Sequence, residues 1–294
     1  MDQNNLDSAE LLRRVRQIEI KTRGLSNHIF AGEYHSAFKG RGMAFSEVRE
    51  YQYGDDVRNI DWNVTARMNK PYIKIFEEER ENTVVLLIDV SGSREFGTKL
   101  RFKKNLITEM AATLAFSTIQ NNDKIGVIFF SDKVEHFIPP KKGKKHVLHI
   151  IRELLTFQPQ DRGTDIGEAL RYMTNAIRKR CTAFLISDFL ADKDFELPLR
   201  IAGHKHDLVA LRVEDRRETE LPDVGLMLLA DAETGRQSWV DTSDPATRRA
   251  YALNAVRRDK ELDAIFKRCA IDSVSVFTDD DYVKSLLGLF KRRG

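Results

Sequence analysis

The sequence predicts an α/β protein with a doubly wound, mostly parallel sheet, preceded by a small N-terminal helix and a β-containing platform. The alternation of elements along the chain leads to this fold class. Apolar runs of strand length alternate with segments of helical periodicity from residue 84 to the end of the chain, and elements in that order form parallel sheets covered on both faces. The chain has 294 residues, of which 41% are hydrophobic. This is enough for one large domain with an appendage or for two modest domains.

The first 80 residues predict a helix followed by a small platform. Asp7 and Glu10 resemble the capping box that begins a helix of about four turns. The apolar stripe of this helix consists of Leu11, Leu12, Val15, Ile18 and Ile20. From 31 to 80, glycines, aromatic residues and paired charges crowd together, and the extended run 72–76 indicates a strand. We therefore expect the helix and platform over 1–80 and the α/β domain over 81–294.

The elements become regular after residue 81. The strands are expected at 84–89, 124–130, 133–138, 181–187, 207–213 and 271–277, and the helices at 98–120, 144–156, 165–179, 193–203, 244–268 and 281–291. A β-hairpin, 224–230 with 236–241, forms an insertion at about 218–242. We expect the strand order 3-2-1-4-5-6, with the third strand as an antiparallel edge strand. Ligands of such sheets bind where the winding direction reverses, which here lies between the first and fourth strands.

Oxygen-bearing side chains stand at the ends of both of these strands. Asp89, Ser91 and Ser93 follow the first strand at alternating positions, and Asp188 follows the fourth. Thr164 precedes the helix that leads into the fourth strand. Taken singly, the hydroxyls are explained as helix caps and Asp188 as a turn residue, but the convergence of three separate segments on one crevice favours a metal site. Hard divalent cations prefer oxygen ligands, so we expect Mg²⁺ (or Mn²⁺) there.

The order of these residues resembles the metal-ion-dependent adhesion site of von Willebrand factor A-type (vWA) domains. In both, a strand is followed by Asp-x-Ser-x-Ser and a helix, then by a threonine, and then by a second strand with an aspartate at its end. No position of this five-residue pattern is missing. The resemblance implies that Ser91, Ser93 and Thr164 ligate the metal directly. It also implies that Asp89 and Asp188 act directly or through water.

The whole chain also resembles bacterial proteins of the domain-of-unknown-function family number fifty-eight. The resemblance runs essentially from end to end, and its most specific stretches are Lys39-Gly40-Arg41-Gly42-Met43, Phe45-Ser46-Glu47-Val48-Arg49-Glu50-Tyr51, Gly54-Asp55-Asp56-Val57-Arg58, Ile60-Asp61-Trp62, Thr65-Ala66-Arg67 and Phe76-Glu77-Glu78-Glu79-Arg80. Members are often associated with MoxR-type AAA+ ATPases. The resemblance therefore implies a partner of that type and a class of protein, without an activity.

The composition of the site favours binding over catalysis. A site of hydroxyls leaves residual positive charge on Mg²⁺ and one exchangeable position, which suits an incoming carboxylate or phosphate. Hydrolytic sites usually add several carboxylates and a base or nucleophile, and a phospho-aspartate mechanism needs a second acid where Ser91 stands. We therefore expect a non-enzymatic, Mg²⁺-dependent protein-binding module that captures an acidic side chain of a MoxR-type AAA+ ATPase or its client. The alternatives are a Mg²⁺-dependent phosphohydrolase that uses the same crevice, and a structural adaptor without metal.

Other classes of ligand have weaker support. Gly92 and Gly97 have the spacing of a phosphate-binding P-loop, but Thr98-Lys99 reverses the order that the loop requires. The lysine cluster at 141–145 contains no interleaved aromatic residues, and a net charge of +3 provides no strong field for nucleic acid. The arginines and acids at 40–80 are interpreted as ion pairs at a domain contact rather than as a ligand site.

The expected location is the cytoplasm. The longest apolar runs, such as 84–88, fall short of the roughly 20 residues that a membrane helix needs. The start of the sequence lacks the basic and apolar stretches of a signal peptide. The two cysteines, Cys181 and Cys269, are interpreted as small buried hydrophobes in a reducing compartment.

Overall fold

The structure, a computed structural model, describes residues 13, 15–20, 42–79, 82–98, 101–191 and 193–293. They form two compact units, one within Lys39–Asn82 and one that joins Thr83–Gly294 to the described residues before 39. Residues 15–20 are helical, and Val15 and Ile18 pack against the core of the larger unit. The predicted start of this helix at Asp7 and Glu10 lies outside the described residues. The division of the chain at residue 80 stays a prediction.

The smaller unit is a two-stranded antiparallel ribbon with a short helix between its strands. It consists of β1 (Gly42–Glu50), a 3-10 turn (Val57–Asn59), α1 (Trp62–Met68) and β2 (Tyr72–Glu79). The carboxylate of Asp61 caps α1 by accepting hydrogen bonds from two backbone N–H groups of its first turn. Arg49 donates two hydrogen bonds to Asp55, at 2.9 and 2.7 Å. Some of the charges predicted for a domain contact therefore pair within this unit, and the contact itself stays a prediction.

The larger unit is built on a six-stranded sheet. Its strands are β3 (Thr83–Asp89), β6 (Lys124–Phe130), β7 (Val134–Lys141), β8 (Thr182–Ser187), β9 (Asp207–Glu214) and β12 (Asp272–Phe277). Two further strand pairs lie outside this sheet: β4 (Gly97–Thr98) with β5 (Arg101–Phe102), and β10 (Leu226–Ala230) with β11 (Gln237–Asp241). The sheet order is β12-β9-β8-β3-β6-β7. Neighbouring strands are parallel except β6 and β7. Counted along the chain, this is the predicted order 3-2-1-4-5-6 with one antiparallel edge strand, so the predicted fold class is confirmed.

In the described part of this unit, six longer helices accompany the sheet. They are α2 (Lys103–Gln120), α3 (Lys144–Thr156), α4 (Ile166–Ala176), α5 (Glu196–Lys205), α6 (Pro245–Arg268) and α7 (Tyr282–Arg293). The prediction placed the start of α2 at 98, but the helix begins at Lys103. A 3-10 turn at Gly92–Glu95 and the β4–β5 pair precede it, and the backbone N–H of Lys103 donates to the carbonyl of Phe96 at 3.0 Å. Over the described ranges, no helix has both the length and the apolar character needed to cross a bilayer.

Two apolar layers lie on opposite faces of the sheet, because successive side chains of a strand point to opposite sides. On one face, Val84, Leu86 and Ile88 of β3 pack with residues of α2, α3 and α7. On the other face, Val85 and Leu87 pack with residues of α4, α5 and α6. Burial on both faces explains why β3 is an uninterrupted apolar run. The carboxyl end of β3 is therefore held between two packed layers, which fixes the position of the polar residues that follow.

The two cysteines are buried free thiols, as predicted. Cys181 precedes β8, and its Sγ lies 3.2 Å from Nδ1 of His206. Burial raises the pKa of Cys181 to about 12, so this thiol stays protonated at neutral pH.

Candidate metal centre

The predicted site residues lie at the carboxyl ends of β3 and β8, which are adjacent parallel strands, and in the loop before α4. Their exposed fractions are 3% for Asp89, 0% for Ser91, 8% for Ser93, 5% for Thr164 and 6% for Asp188. Buried polar groups need hydrogen-bonding partners. The partners of these five side chains define the candidate site.

Asp89 joins the ends of the two strands. Its Oδ1 accepts a hydrogen bond from the backbone N–H of Ser91 at 2.9 Å, and its Oδ2 accepts one from the hydroxyl of Ser187 at 2.6 Å. Burial, followed by the negative charge of Asp188, raises the pKa of Asp89 to about 6, although the hydrogen bonds from Ser187 and Ser91 oppose the rise. The ionised carboxylate of Asp89 is thus incompletely compensated by the protein, and a cation in the crevice would stabilise it.

The two serines after β3 place their hydroxyl oxygens side by side. Ser91 Oγ and Ser93 Oγ are 3.0 Å apart and share a hydrogen bond in which either hydroxyl can be the donor. Mg²⁺ binds oxygens at about 2.0–2.1 Å in octahedral geometry, so neighbouring ligand oxygens are about 2.9 Å apart. Ser91 makes no side-chain capping bond to the 3-10 turn that follows it. The spacing therefore fits two neighbouring ligands of a small cation, and helix capping does not explain Ser91.

Thr164 lies in the loop that leads into α4. The cap of α4 is Asp165, whose Oδ1 accepts a hydrogen bond from a backbone N–H of the first turn at 2.8 Å, so capping does not explain Thr164 either. The Thr164 hydroxyl donates instead to Oε1 of Glu233 at 2.6 Å. The backbone N–H of Gly92 donates to the carbonyl of Arg162 at 3.0 Å. That bond holds the Thr164 loop against the turn that carries the two serines.

Asp188 is paired with a buried lysine that the sequence analysis missed. Lys103 is 1% exposed and donates to Asp188 Oδ2 at 3.0 Å and to Glu218 Oε1 at 2.5 Å. Burial opposes the charged form of Lys103, but the two carboxylates outweigh burial and raise the pKa of Lys103. The Oδ1 of Asp188 accepts a hydrogen bond from the backbone N–H of Leu190 at 3.1 Å. Both oxygens of Asp188 therefore have partners, and one of these partners is a full positive charge.

Nothing near Lys103 in the sequence distinguishes it from a solvent-facing lysine. Its two partners are 85 and 115 residues away along the chain, so the ion pairs have no local signal. Glu233 was missed for the same reason, since it stands in the predicted turn of a hairpin, 69 residues from Thr164.

Hydrogen bonds and strand pairing place the predicted residues at the carboxyl ends of β3 and β8 and in the loop bonded to the turn after β3, and the assignment of metal ligands stays a prediction. Asp89 accepts a hydrogen bond from Ser91, whose hydroxyl contacts that of Ser93, and Asp188 follows the serine that donates to Asp89. Thr164 belongs to the loop bonded to the serine turn. Within the described residues, no group of three or more His, Cys, Asp or Glu side chains is arranged to hold a metal.

Comparison with known proteins identifies related sequences and similar folds. The sequence matches the family "Protein of unknown function DUF58" over residues 47–261. It is 30% identical over 300 residues to the uncharacterized protein Rv1480 of Mycobacterium tuberculosis, a match that covers 100% of this chain and 94% of that protein.

Three solved structures are similar to the fold. The conserved hypothetical protein BatB from Bacteroides thetaiotaomicron is 16% identical, with 72% of this chain and 98% of that chain covered and a TM-score of 0.48. The SpRpn10 VWA domain is 13% identical, with coverage of 71% and 94% and a TM-score of 0.37. Proximal thread matrix protein 1 from the mussel byssus, solved with a zinc-occupied MIDAS motif, is 18% identical, with coverage of 45% and 38% and a TM-score of 0.38.

Proposed function

The chain belongs to the DUF58 family of proteins of unknown function, and from this premise we propose that it is a metal-dependent protein-binding module of vWA type. The proposed metal is Mg²⁺ (or Mn²⁺), and the proposed ligand is a carboxylate of a partner protein. The observation that carries the proposal is the pair of buried serine hydroxyls, 3.0 Å apart, at the carboxyl end of β3. Their spacing is that of neighbouring oxygens around Mg²⁺.

The five residues have two proposed roles. Ser91, Ser93 and Thr164 would contact the cation through neutral hydroxyl oxygens, each of which can donate its proton and still offer a lone pair. Asp89 and Asp188 would act through water, because every one of their carboxylate oxygens already accepts a hydrogen bond from the protein. A bound Mg²⁺ would supply a positive charge with an open position for an incoming carboxylate.

The charges around the crevice support the capture of an acidic group. Lys103 neutralises part of the negative charge of Asp188, and the hydroxyl ligands would add no charge of their own. A divalent cation held in this way would keep positive charge that water or a carboxylate must balance. An acidic side chain is therefore the proposed target.

The proposed partner is a MoxR-type AAA+ ATPase or its client. What supports this partner is family membership, because DUF58 proteins are often associated with such ATPases. An AAA+ ATPase consumes ATP, so we propose that the two proteins meet in the cytoplasm. Co-purification of the ATPase with the wild-type chain, lost in Ser93→Ala, is the expected result.

Thermal unfolding with and without Mg²⁺ tests the metal site. A ligand of the native state stabilises it by about 2.7 kcal/mol at 100 times the Kd. We expect Mg²⁺ to raise the unfolding temperature of the wild type and of the control Ser275→Ala, whose side chain is exposed on β12. The rise should be lost or much smaller in Ser91→Ala and Ser93→Ala. The metal site would be disproved by an absent rise in the wild type, or by an equal rise in Ser91→Ala.

A second candidate function is Mg²⁺-dependent phosphohydrolysis in the same crevice. Two observations favour it. The pKa of Asp89 is raised to about 6 by burial and by Asp188, which suits a general acid or base, and the ammonium group of Lys103 is buried beside Asp188. Both groups are already engaged within the protein, which counts against a catalytic role. Asp89 accepts hydrogen bonds from Ser91 and Ser187, and Lys103 donates to Asp188 and Glu218. Turnover of any member of a panel of phosphate esters with Mg²⁺, abolished by Ser91→Ala, would replace the binding proposal.

A further inference from the structure

We propose that Glu233, at the tip of the β10–β11 hairpin, is an internal carboxylate ligand of the metal site and competes there with the acidic side chain of a partner. The inference rests on the proposed function, because it concerns the same crevice. It adds a sixth residue to the site and gives the inserted hairpin a role in regulating access to it.

The first observation is the contact between Glu233 and Thr164. Oε1 of Glu233 accepts a hydrogen bond from Thr164 Oγ1 at 2.6 Å. Neighbouring oxygens around Mg²⁺ are about 2.9 Å apart, so the separation of these two oxygens is near that of adjacent ligands of one ion. The hydroxyl can keep this hydrogen bond while a lone pair contacts a cation. The contact is therefore compatible with both oxygens facing the same ion.

The second observation is how closely the hairpin tip approaches the serine turn. A Cβ atom on Gly92 would clash with the carbonyl oxygen of Ala232 and would lie 3.2 Å from its carbonyl carbon. Gly92 stands between Ser91 and Ser93, and Ala232 directly precedes Glu233. The hairpin tip thus touches both segments that supply the proposed hydroxyl ligands. Glycine at position 92 permits this approach, because any side chain there would meet backbone atoms.

The third observation is that the tip is braced by its own hydrogen bonds. Oδ1 of Asp231 accepts from the backbone N–H groups of Glu233 at 3.0 Å and Thr234 at 2.6 Å. The N–H of Gly235 donates to the carbonyl of Asp231 at 2.9 Å, and Gly235 adopts a φ of +69°, which glycine tolerates without strain. Because the turn is ordered by these bonds, presenting Glu233 to the crevice costs little additional entropy.

An internal carboxylate has two opposite effects on binding. It adds a negative charge to a site that is otherwise rich in neutral hydroxyls, so it strengthens binding of the cation. It also occupies the position that a partner's carboxylate needs, at the high effective concentration of a tethered ligand. The partner can bind only those molecules in which Glu233 does not contact the metal. The apparent affinity for the partner is therefore the intrinsic affinity multiplied by the fraction of such molecules. Binding of the partner requires the hairpin tip to withdraw.

Titration of the full chain with Mn²⁺ alone, followed by isothermal titration calorimetry, tests the assignment. We expect Glu233→Gln and Glu233→Ala to weaken Mn²⁺ binding by about tenfold or more. Glu233→Asp keeps the charge but withdraws it by one methylene group, and its affinity should lie between those of the wild type and Glu233→Gln. Glu261→Gln, which removes the same charge from an exposed position on α6, should bind like the wild type.

Excess acetate provides a second readout. If the carboxylate of Glu233 is a ligand, acetate can enter the position that Glu233→Ala leaves open, so it should strengthen Mn²⁺ binding by this variant and leave the wild type nearly unchanged. Wild-type affinity in Glu233→Gln, or no effect of acetate on Glu233→Ala, would overturn the assignment while leaving the metal site in place. Absence of Mn²⁺ binding in the wild type would instead disprove the proposed function, and the assignment with it.

Discussion

Replacement of Asp89 with asparagine is expected to stabilise the metal-free protein at neutral pH and to remove its response to Mg²⁺. The asparagine side chain keeps an oxygen that can accept the backbone N–H of Ser91. Its amide group can donate to the Ser187 hydroxyl, which rotates its own proton away. The substitution therefore removes the buried negative charge and keeps an acceptor for Ser91, at the cost of the acceptor that Asp89 Oδ2 offers to the Ser187 hydroxyl.

The size of the effect follows from the electrostatics of Asp89. Its pKa rises from 3.8 to about 6, first because of burial and second because of the charge on Asp188. Each tenfold change in the acid dissociation constant, or one pKa unit, corresponds to about 1.4 kcal/mol. A rise of about two units therefore means that the ionised carboxylate destabilises the folded state by about 3 kcal/mol at neutral pH. Asparagine avoids this cost, and we expect Asp89→Asn to be more stable than the wild type by up to about 3 kcal/mol.

The pH dependence has a definite sign. Below about pH 4, Asp89 is protonated in both the folded and the unfolded protein, and the cost is absent. Between about pH 4 and pH 6 the unfolded chain loses this proton while the folded protein keeps it, so the contribution of Asp89 to stability falls as pH rises. Above about pH 6 the cost is complete. The difference between Asp89→Asn and wild type should therefore grow from near zero at pH 4 to its full value at pH 7.

Urea unfolding at several pH values, in the presence of a chelator, measures this difference. Asp263→Asn, at an exposed position of α6, is the matched control and should show no comparable dependence. Adding Mg²⁺ should stabilise the wild type and leave Asp89→Asn unchanged, because the cation stabilises the ionised carboxylate. An Asp89→Asn variant that is less stable than the wild type at pH 7 without metal would refute the argument from burial.

Three further substitutions test other contacts. Lys103→Met should destabilise the protein by about 3–5 kcal/mol, because it leaves Asp188 buried without a cation, and adding Asp188→Asn should restore part of the loss in urea unfolding. Gly92→Ala should cost about 1–3 kcal/mol, because its Cβ would meet the carbonyl of Ala232, and limited proteolysis should then cut the hairpin tip faster. Asp165→Ala should cost about 1 kcal/mol by uncapping α4, and a thermal stability equal to that of the wild type would contradict this role.

The sheet order could be predicted because it depends on features that repeat locally. The apolar run of β3 and the helical spacing of Leu106, Met110 and Leu114 each report which faces are buried. Once strands and helices alternate, short right-handed connections leave few possible orders. The start of α2 was predicted too early because helical periodicity does not reveal that residues before Lys103 form a 3-10 turn and a two-residue strand pair.

The candidate site was predicted in part. The five-residue pattern lies at strand ends and loop positions that the topology brings together, so sequence order was sufficient to place it at the switch point. The capping alternative for Thr164 could not be decided from sequence, because Thr164 and Asp165 are both suitable caps and only the structure shows that Asp165 accepts the bond. The same is true of Ser91, whose hydroxyl lies beside Ser93.

The sequence by itself determined the six strands of the main sheet, the helices between them apart from their exact ends, the order of the sheet and the polar pattern at its switch point, because each depends on spacing along the chain. Only the tertiary structure decided that Lys103 is buried between Asp188 and Glu218, and that Glu233 contacts Thr164. Lys103 is 85 residues from Asp188 and 115 residues from Glu218 along the chain, and Glu233 is 69 residues from Thr164. A charge that is neutralised across such distances looks, in sequence, like any charge exposed to water.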